Sequence, residues 1–227
     1  MTRRAEKNGK ARRKRRIPGW LEVILLGVVA LVVSLVVKTF LVQMFFVPSG
    51  SMEPLFVEDD RILVEKISSW DGEVERGDVV VFEDPGGWLP PQPELNAVQK
   101  ALSTIGLYPT GGHLVKRVVG VGGDQVACCD EQGRVTVNDV PLDEPYLSEP
   151  EAQQRAFDVT VPKGRLWVMG DNRSNSEDSR YHQNLPGGGS IPDDRVVGRV
   201  WAIAWPLDRF AVLDRPETYD QVLDPPD

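Results

Sequence analysis

The chain has 227 residues, enough for one substantial domain or two small ones, and its 41% hydrophobic and 26% charged residues exclude disorder throughout. The formal charge of −8 is unevenly spread: residues 1–16 hold nine Lys or Arg against the single acid Glu6, a head of +8 that leaves −16 on the remainder. A body so acidic lacks the Lys and Arg that neutralise phosphates, which argues against nucleic acid as a partner.

Residues 21–40, LEVILLGVVALVVSLVVKTF, are long enough to cross about 30 Å of hydrocarbon as a helix rising about 1.5 Å per residue. Glu22 and Lys38 sit near the ends, where long side chains reach the interface, and Trp20 marks the near boundary. The basic head (1–16) abutting this run predicts a cytoplasmic N-terminus and an extracytoplasmic remainder. A cleaved secretory signal would have an apolar core of about 7 to 15 residues ending in a small-x-small site. Here the core is longer and runs on into Val42-Gln43-Met44-Phe45-Phe46-Val47 without such a site, so an uncleaved single-pass anchor is expected over residues 17–42.

Beyond the anchor, short runs rich in Val and Ile, bounded by Gly, Asp and Pro, read as strands: 61–65, 78–82, 114–121, 125–127, 134–137, 157–161, 166–169 and 196–203. They follow too closely for helical crossovers. The expected fold class is therefore mostly β, an antiparallel sandwich or barrel-like domain over residues 43–213 behind one transmembrane helix. Residues 83–113 read as an insertion: a Pro/Gly-rich loop, EDPGGWLPPQP, then a short amphipathic helix at 94–105, where Leu95, Val98, Leu102 and Ile105 recur at helical spacing. Trp88 and Leu89 in that loop, with residues 44–47, are expected to dip into the lipid interface. The acidic, Pro-rich tail 214–227 reads as disordered.

Cys128 and Cys129 are adjacent, so they can close no long loop and offer no C-x-x-C metal spacing; thiols, or at most a strained local bridge, are expected. The two histidines, His113 and His182, have no local acid and serine arrangement of triad type, and surface or loop roles are expected for both.

Three segments carry candidate chemistry. In residues 47–54, VPSGSMEP, Pro and Gly fix the backbone around Ser49 and Ser51, whose hydroxyls share a side if the chain is extended. Ser51 is eleven residues beyond Phe40, a tether under about 40 Å at about 3.3 to 3.6 Å per residue. In residues 114–120, LVKRVVG, strand alternation sends Lys116 and Arg117 to opposite faces, so a buried face would enclose one cation; the alternative is an edge strand with both ends snorkelling. Burial lowers a lysine pKa, whereas Arg does not respond in that way. Residues 170–180, GDNRSNSEDSR, follow a strand as either a solvated loop or an orienting network.

In chain order, the anchor, PSGSMEP (48–54), RGDVVVF (76–82), KRVVGVGGD (116–124), GDNRSNSEDSR (170–180) and VVGRV (196–200) resemble the type I signal peptidases. These are membrane-bound serine endopeptidases that remove signal peptides from exported preproteins. The resemblance covers roughly residues 21–210 and implies a Ser-Lys dyad, with Ser51 as nucleophile and Lys116 as general base. It implies further that the Ser49 hydroxyl and the Ser51 backbone N–H form an oxyanion hole. Ser176 would orient the lysine, and Asp178 and Arg180 would form a supporting ion pair. Val47, Pro48, Met52, Leu114 and Val115 would line shallow pockets for small residues at the first and third positions before the cut. The implied partners are exported preproteins and membrane lipid, with no metal or organic cofactor. The chain departs from many relatives at Leu55-Phe56 and at Ser174.

The implied chemistry needs an unusual lysine. An amine of pKa about 10.4 is protonated at neutral pH, and lowering it by 2 to 3 units takes roughly 3 to 4 kcal/mol of desolvation. Two rival readings exist. Self-cleaving repressor-like proteases share Ser-Lys chemistry but are soluble, so the anchor argues against them. An inactive anchored binding domain would have no reason to keep Ser51, Lys116 and Ser176 together.

Overall fold

Runs rich in β-branched residues form the short strands that frame the chain after residue 41, as seen in a computed structural model that describes residues 18–40, 42–66, 74–90, 96, 112–148 and 155–224. The chain divides into two units, 1–37 and 38–227, each taken by itself. In the first lies most of helix α1, Gly19–Phe40. Its described side chains end at residue 33, and among the described residues no helix is long and apolar enough to cross a membrane.

The second unit holds strands β1 (Val42–Phe46), β2 (Arg61–Glu65), β3 (Val79–Glu83), β4 (His113–Gly120), β5 (Gln125–Cys128) and β6 (Val135–Val137). They are followed by β7 (Val140–Pro141), β8 (Phe157–Thr160), β9 (Arg165–Met169), β10 (Ile191–Pro192), β11 (Val196–Trp205) and β12 (Ala211–Val212). The larger sheet runs β1-β2-β11-β3-β4-β9-β10, with β12 also on β11, and the smaller runs β7-β6-β5-β8. Every pairing is antiparallel, as the close strand spacing predicts. The long β11 shifts register against both β2 and β3, the bulges that let a sheet curl.

Strand β3 shows why the core sits on both sides of the larger sheet. Val79 and Val81 enter one cluster with Met52, Phe56, Ile62 and Val64, while Val80 and Phe82 enter another with Val118, Leu166 and Val168. A strand buried on both faces has to be apolar at successive positions, which VVVF is. A third cluster, around Val126, Val137 and Phe157 of the smaller sheet with Val119 and Trp167 of the larger, joins the two.

The structure corrects several sequence expectations. Residues 42–46, where the anchor is expected to end at 42 and a membrane-facing loop to begin at 44, form β1 and pair with β2 from Val42↔Glu65 to Phe46↔Arg61. The tail is not disordered up to residue 224: a 3-10 helix, Glu217–Gln221, buries Tyr219 and Val222 in the third cluster, and Asp224 pairs with Arg76. Trp88 is not exposed for lipid contact but is 7% accessible, stacked on His182 with ring centroids 4.2 Å apart. His182 is accordingly buried rather than superficial. Cys128 and Cys129 are joined to each other, the local bridge and not the free thiols. The helix expected at 94–105 lies outside the described residues, Asn96 apart.

Candidate active site

The segment after β1 does not continue as a strand: its last N–H donated to the ladder runs from Val47 to the Asp60 carbonyl at 2.9 Å, and Pro48 follows. It turns instead, and a one-turn 3-10 helix, Gly50–Met52, carries Ser51. Val47, Met52 and Phe56 anchor this turn in the core, all at 1% accessibility or less. From the other side Asn172 clamps it: its N–H donates to the Ser51 carbonyl at 3.1 Å and its Nδ2 to the Gly50 carbonyl at 3.0 Å. Gly170 lies so close that an added Cβ would collide with Ser176 Oγ and with the Ser51 carbonyl.

Strand β4 brings Lys116 to this turn. Lys116 Nζ lies 2.7 Å from Ser51 Oγ and donates to the Val115 carbonyl at 3.1 Å. Ser49 Oγ, on extended backbone, is 3.5 Å from Ser51 Oγ, at the outer limit of a hydrogen bond. Lys116 is only 4% accessible, and burial pushes its amine down from 10.5 to about 8. Asp178 and Asp171 pull the value back up, and Arg180 lowers it further.

Arg117 faces the other way, as alternation requires, but it is buried too. Its guanidinium grips Asp171 at 2.8 and 2.6 Å and donates to the Gly77 carbonyl at 2.8 Å. The snorkelling edge-strand alternative is thereby excluded: each cation is enclosed and each is partnered.

The polar segment 170–180 is a network rather than a solvated loop. Asp178 and Arg180, both with 0% side-chain accessibility, form a two-pronged pair at 2.8 Å each, and the Gly170 N–H donates to Asp178 at 3.0 Å. Burial opposes ionisation of Asp178, but Arg180 outweighs it and holds the carboxyl below its ordinary value. Arg173 reaches Glu144 at 2.8 and 2.6 Å, tying the loop to a distant segment. Ser176 is buried, yet its hydroxyl makes no hydrogen bond of good geometry, although it lies near enough to Asp178 to favour the carboxylate. The expected bond from Ser176 to Lys116 is therefore absent, and the Val115 carbonyl takes the orienting place.

An apolar groove of about 210 Å³ opens beside Ser51 and Lys116, walled by Pro48, Leu114, Val115, Phe45, Ile62 and Leu89. Of the five residues that the resemblance implies as pocket lining, Pro48, Leu114 and Val115 border this groove. Val47 and Met52 instead lie beneath it, in the core that supports the Ser51 turn. The sequence reading missed Asn172, Asp171, Glu144 and, as a groove residue, Leu89; only the polar density of 170–180 signalled any of them. Among the described residues no group of His, Cys, Asp or Glu could hold a metal ion.

Comparison with known proteins extends these observations. A probable signal peptidase I of Mycobacterium leprae is 37% identical over 89% of this chain and 81% of its own length. The signal peptidase I of Mycobacterium tuberculosis is 39% identical over 85% of this chain and 74% of its own. A crystal structure of a signal peptidase I from Enterococcus faecalis aligns with 56% of this chain and 96% of its own at a TM-score of 0.38 and 24% identity, too distant to bear on the fold. The family model described as signal peptidase, peptidase S26, matches residues 20–205. On this match, and on the identity shared with the mycobacterial enzymes, the chain belongs to the signal peptidase family, peptidase S26, and is a serine endopeptidase.

Proposed function

We propose that this chain is a membrane-anchored endopeptidase that removes N-terminal signal peptides from exported preproteins at small-x-small sites, using Ser51 as nucleophile and Lys116 as general base. The observation that carries the reading is a buried amine 2.7 Å from a buried hydroxyl, with the amine's pKa near 8. At pH 7 about a tenth of such lysines are neutral, against roughly one in a few thousand for an exposed one. A neutral amine offers a lone pair to the serine proton, which an ammonium cannot.

The cycle then runs with the groups present. Lys116 takes the hydroxyl proton as Ser51 Oγ bonds to the scissile carbonyl carbon, and the carbonyl electron pair moves onto oxygen. The Ser51 N–H, with the Ser49 hydroxyl beside it, donates to that oxyanion. The Lys116 ammonium returns its proton to the departing amine as the C–N bond breaks. Neutral again, it takes a proton from water as the water oxygen bonds to the ester carbonyl carbon, and it gives that proton to Ser51 Oγ as the ester C–O bond breaks. No step calls on a cofactor. The branched aliphatic lining of Leu114, Val115 and Ile62 suits small apolar side chains ahead of the cut.

For membrane anchoring the support is the apolar run at 21–40 and the basic head before it. The described side chains of α1 include Val23, Leu26 and Leu31, each more than 60% exposed, and a helix apolar all round suits lipid. In this topology the head is cytoplasmic and the catalytic unit faces the opposite side, tethered within reach of an emerging signal peptide.

The test is cleavage of a preprotein with a small-x-small site by the detergent-purified full chain. Wild type cuts at that site, and Ser51→Ala and Lys116→Ala each lower the rate about a thousandfold or more while keeping the far-UV spectrum of the fold. Retained cleavage by either folded variant would refute the assignment.

A further inference from the structure

We propose that Leu89 is a specificity residue: it walls the end of the groove remote from Ser51 and meets the fourth or fifth residue before the cut. This rests on the peptidase reading above and concerns the insertion that begins at residue 83.

The path of the chain puts Leu89 there. Strand β3 ends with Glu83 opposite His113, and the Asp84 N–H donates to the Gly112 carbonyl at 2.8 Å, so the loop 84–90 leaves the sheet at the start of β4. The Asp84 carboxylate then accepts the N–H groups of Gly86, Trp88 and Leu89 at 2.9, 3.1 and 3.2 Å, which fixes the turn. Trp88 plugs inward, edge-on to Phe82 at 5.7 Å and flat against His182 at 4.2 Å. His182 Nδ1 in turn lies 2.8 Å from the Asp178 carbonyl, in the segment that neighbours Lys116 electrostatically. With Trp88 pinned inward, the half-buried Leu89 lines the same groove as Ser51, Lys116 and His113.

Distance along β4 sets the position it reads. From Lys116 to His113 is three residues, about 10 Å at about 3.3 Å each. A peptide lying extended beside β4, its cut bond at Ser51, has its fourth residue near His113, where the Leu89 loop departs. An apolar wall there favours apolar side chains of limited bulk and disfavours charge.

The experiment uses peptides with Ala fixed at the first and third positions before the cut and Ala, Leu, Trp or Asp at the fourth and fifth, cleaved by the full chain in detergent. Leu89→Ala is expected to raise kcat/KM for Trp relative to Ala at one of those positions about tenfold, and Leu89→Asp to lower Leu relative to Ala by a similar factor. Trp88→Ala, which frees the loop, shifts the ratios in the sense of Leu89→Ala. Selectivity at the first position is the internal control. If both Leu89 variants keep wild-type ratios within twofold at the fourth and fifth positions while wild type cuts the peptides, the assignment of Leu89 is wrong. If wild type cuts none of them, the peptidase reading itself fails and takes this proposal with it.

Discussion

Lys116 and Ser51 are 65 residues apart in the chain and 2.7 Å apart in space. The sheet enforces this approach: β4 pairs with β3 from His113 to Arg117, with Lys116 opposite Val80, and with β9 from Arg117 onward, so the strand that carries Lys116 is fixed up to and beyond it. The Ser51 turn is held as tightly, by core side chains beneath and Asn172 beside it. Neither group has to move to meet the other, which is the preorganisation that the proposed dyad requires.

Cleavage should follow the neutral fraction of Lys116. With its pKa lowered to about 8 by burial, kcat/KM is expected to climb about tenfold per pH unit below 8 and level off above it. Initial rates on one preprotein from pH 5.5 to 9.5 give the curve. A midpoint near 10, or a profile flat from pH 6 upward, would remove Lys116 from the role of base.

The same depressed pKa has a stability signature. A folded-state pKa of about 8 against an ordinary 10.5 means that the unfolded chain holds more protons between those values, so unfolding free energy rises with pH across that window. Below about pH 8 the folded state carries a buried ammonium at a cost of about 3 kcal/mol, and Lys116→Met lacks that burden. The difference in urea stability between wild type and Lys116→Met is expected to change by about 3 kcal/mol between pH 7 and 10.5, other titrating groups cancelling. A difference independent of pH would mean that the amine is solvated.

Much of this is legible in the sequence, and the misses share a cause. The β-branched alternation locates most strands, and the adjacent cations of β4 require opposite faces by strand geometry alone. What escapes depends on contacts between distant segments. Asn172 matters because it reaches Gly50, 122 residues earlier. Tyr219 sits in an acidic, Pro-rich tail whose composition reads as disorder, yet it and Val222 find places in the core, and Asp224 pairs with the distant Arg76. β1 is hidden because its apolar residues follow the anchor run without a break in hydropathy, and only pairing with β2 distinguishes the two. Val47 and Met52 read as pocket residues from a motif, while packing puts them under the floor.

Gly170 provides a test of how closely the Ser51 turn is held. A methyl group there has no space, since Ser176 Oγ and the Ser51 carbonyl occupy it. Gly170→Ala should therefore lose about 1 to 3 kcal/mol of stability to overpacking and cleave about a hundredfold more slowly, because displacement of the proposed nucleophile by even about 1 Å is felt at the reacting bond. Wild-type activity in this variant would show that the turn yields freely.

Asp178 joins stability to the proposed base, Lys116. Its carboxylate compensates Arg180 completely out of water and also raises the Lys116 pKa. Asp178→Asn leaves a buried guanidinium without its counter-charge, which is expected to cost about 3 to 5 kcal/mol. The acid limb of the rate profile should move to lower pH, since a charge that favoured the ammonium is gone and the unbalanced Arg180 opposes it further. A shift to higher pH would contradict the electrostatics described for the site.

The tail is bound to the folded unit through Tyr219. Tyr219 is 3% accessible; its hydroxyl lies 3.2 Å from that of Tyr146, which donates to Glu144 at 2.7 Å, the partner of Arg173. Thr218 Oγ1 accepts the Asp143 N–H at 2.9 Å, and the Leu223 carbonyl accepts from Asn138 at 3.0 Å. These contacts fasten the tail behind the loop that carries Asp171 and Asp178. Tyr219→Ala removes a buried aromatic and should lower stability by about 3 to 5 kcal/mol, whereas Tyr219→Phe keeps the ring and loses about 1 kcal/mol with its hydroxyl. Denaturant midpoints of the two variants decide the matter: equal, near-zero effects would return the tail to the disorder that its composition suggests, and a large gap between Ala and Phe would establish it as part of the folded core.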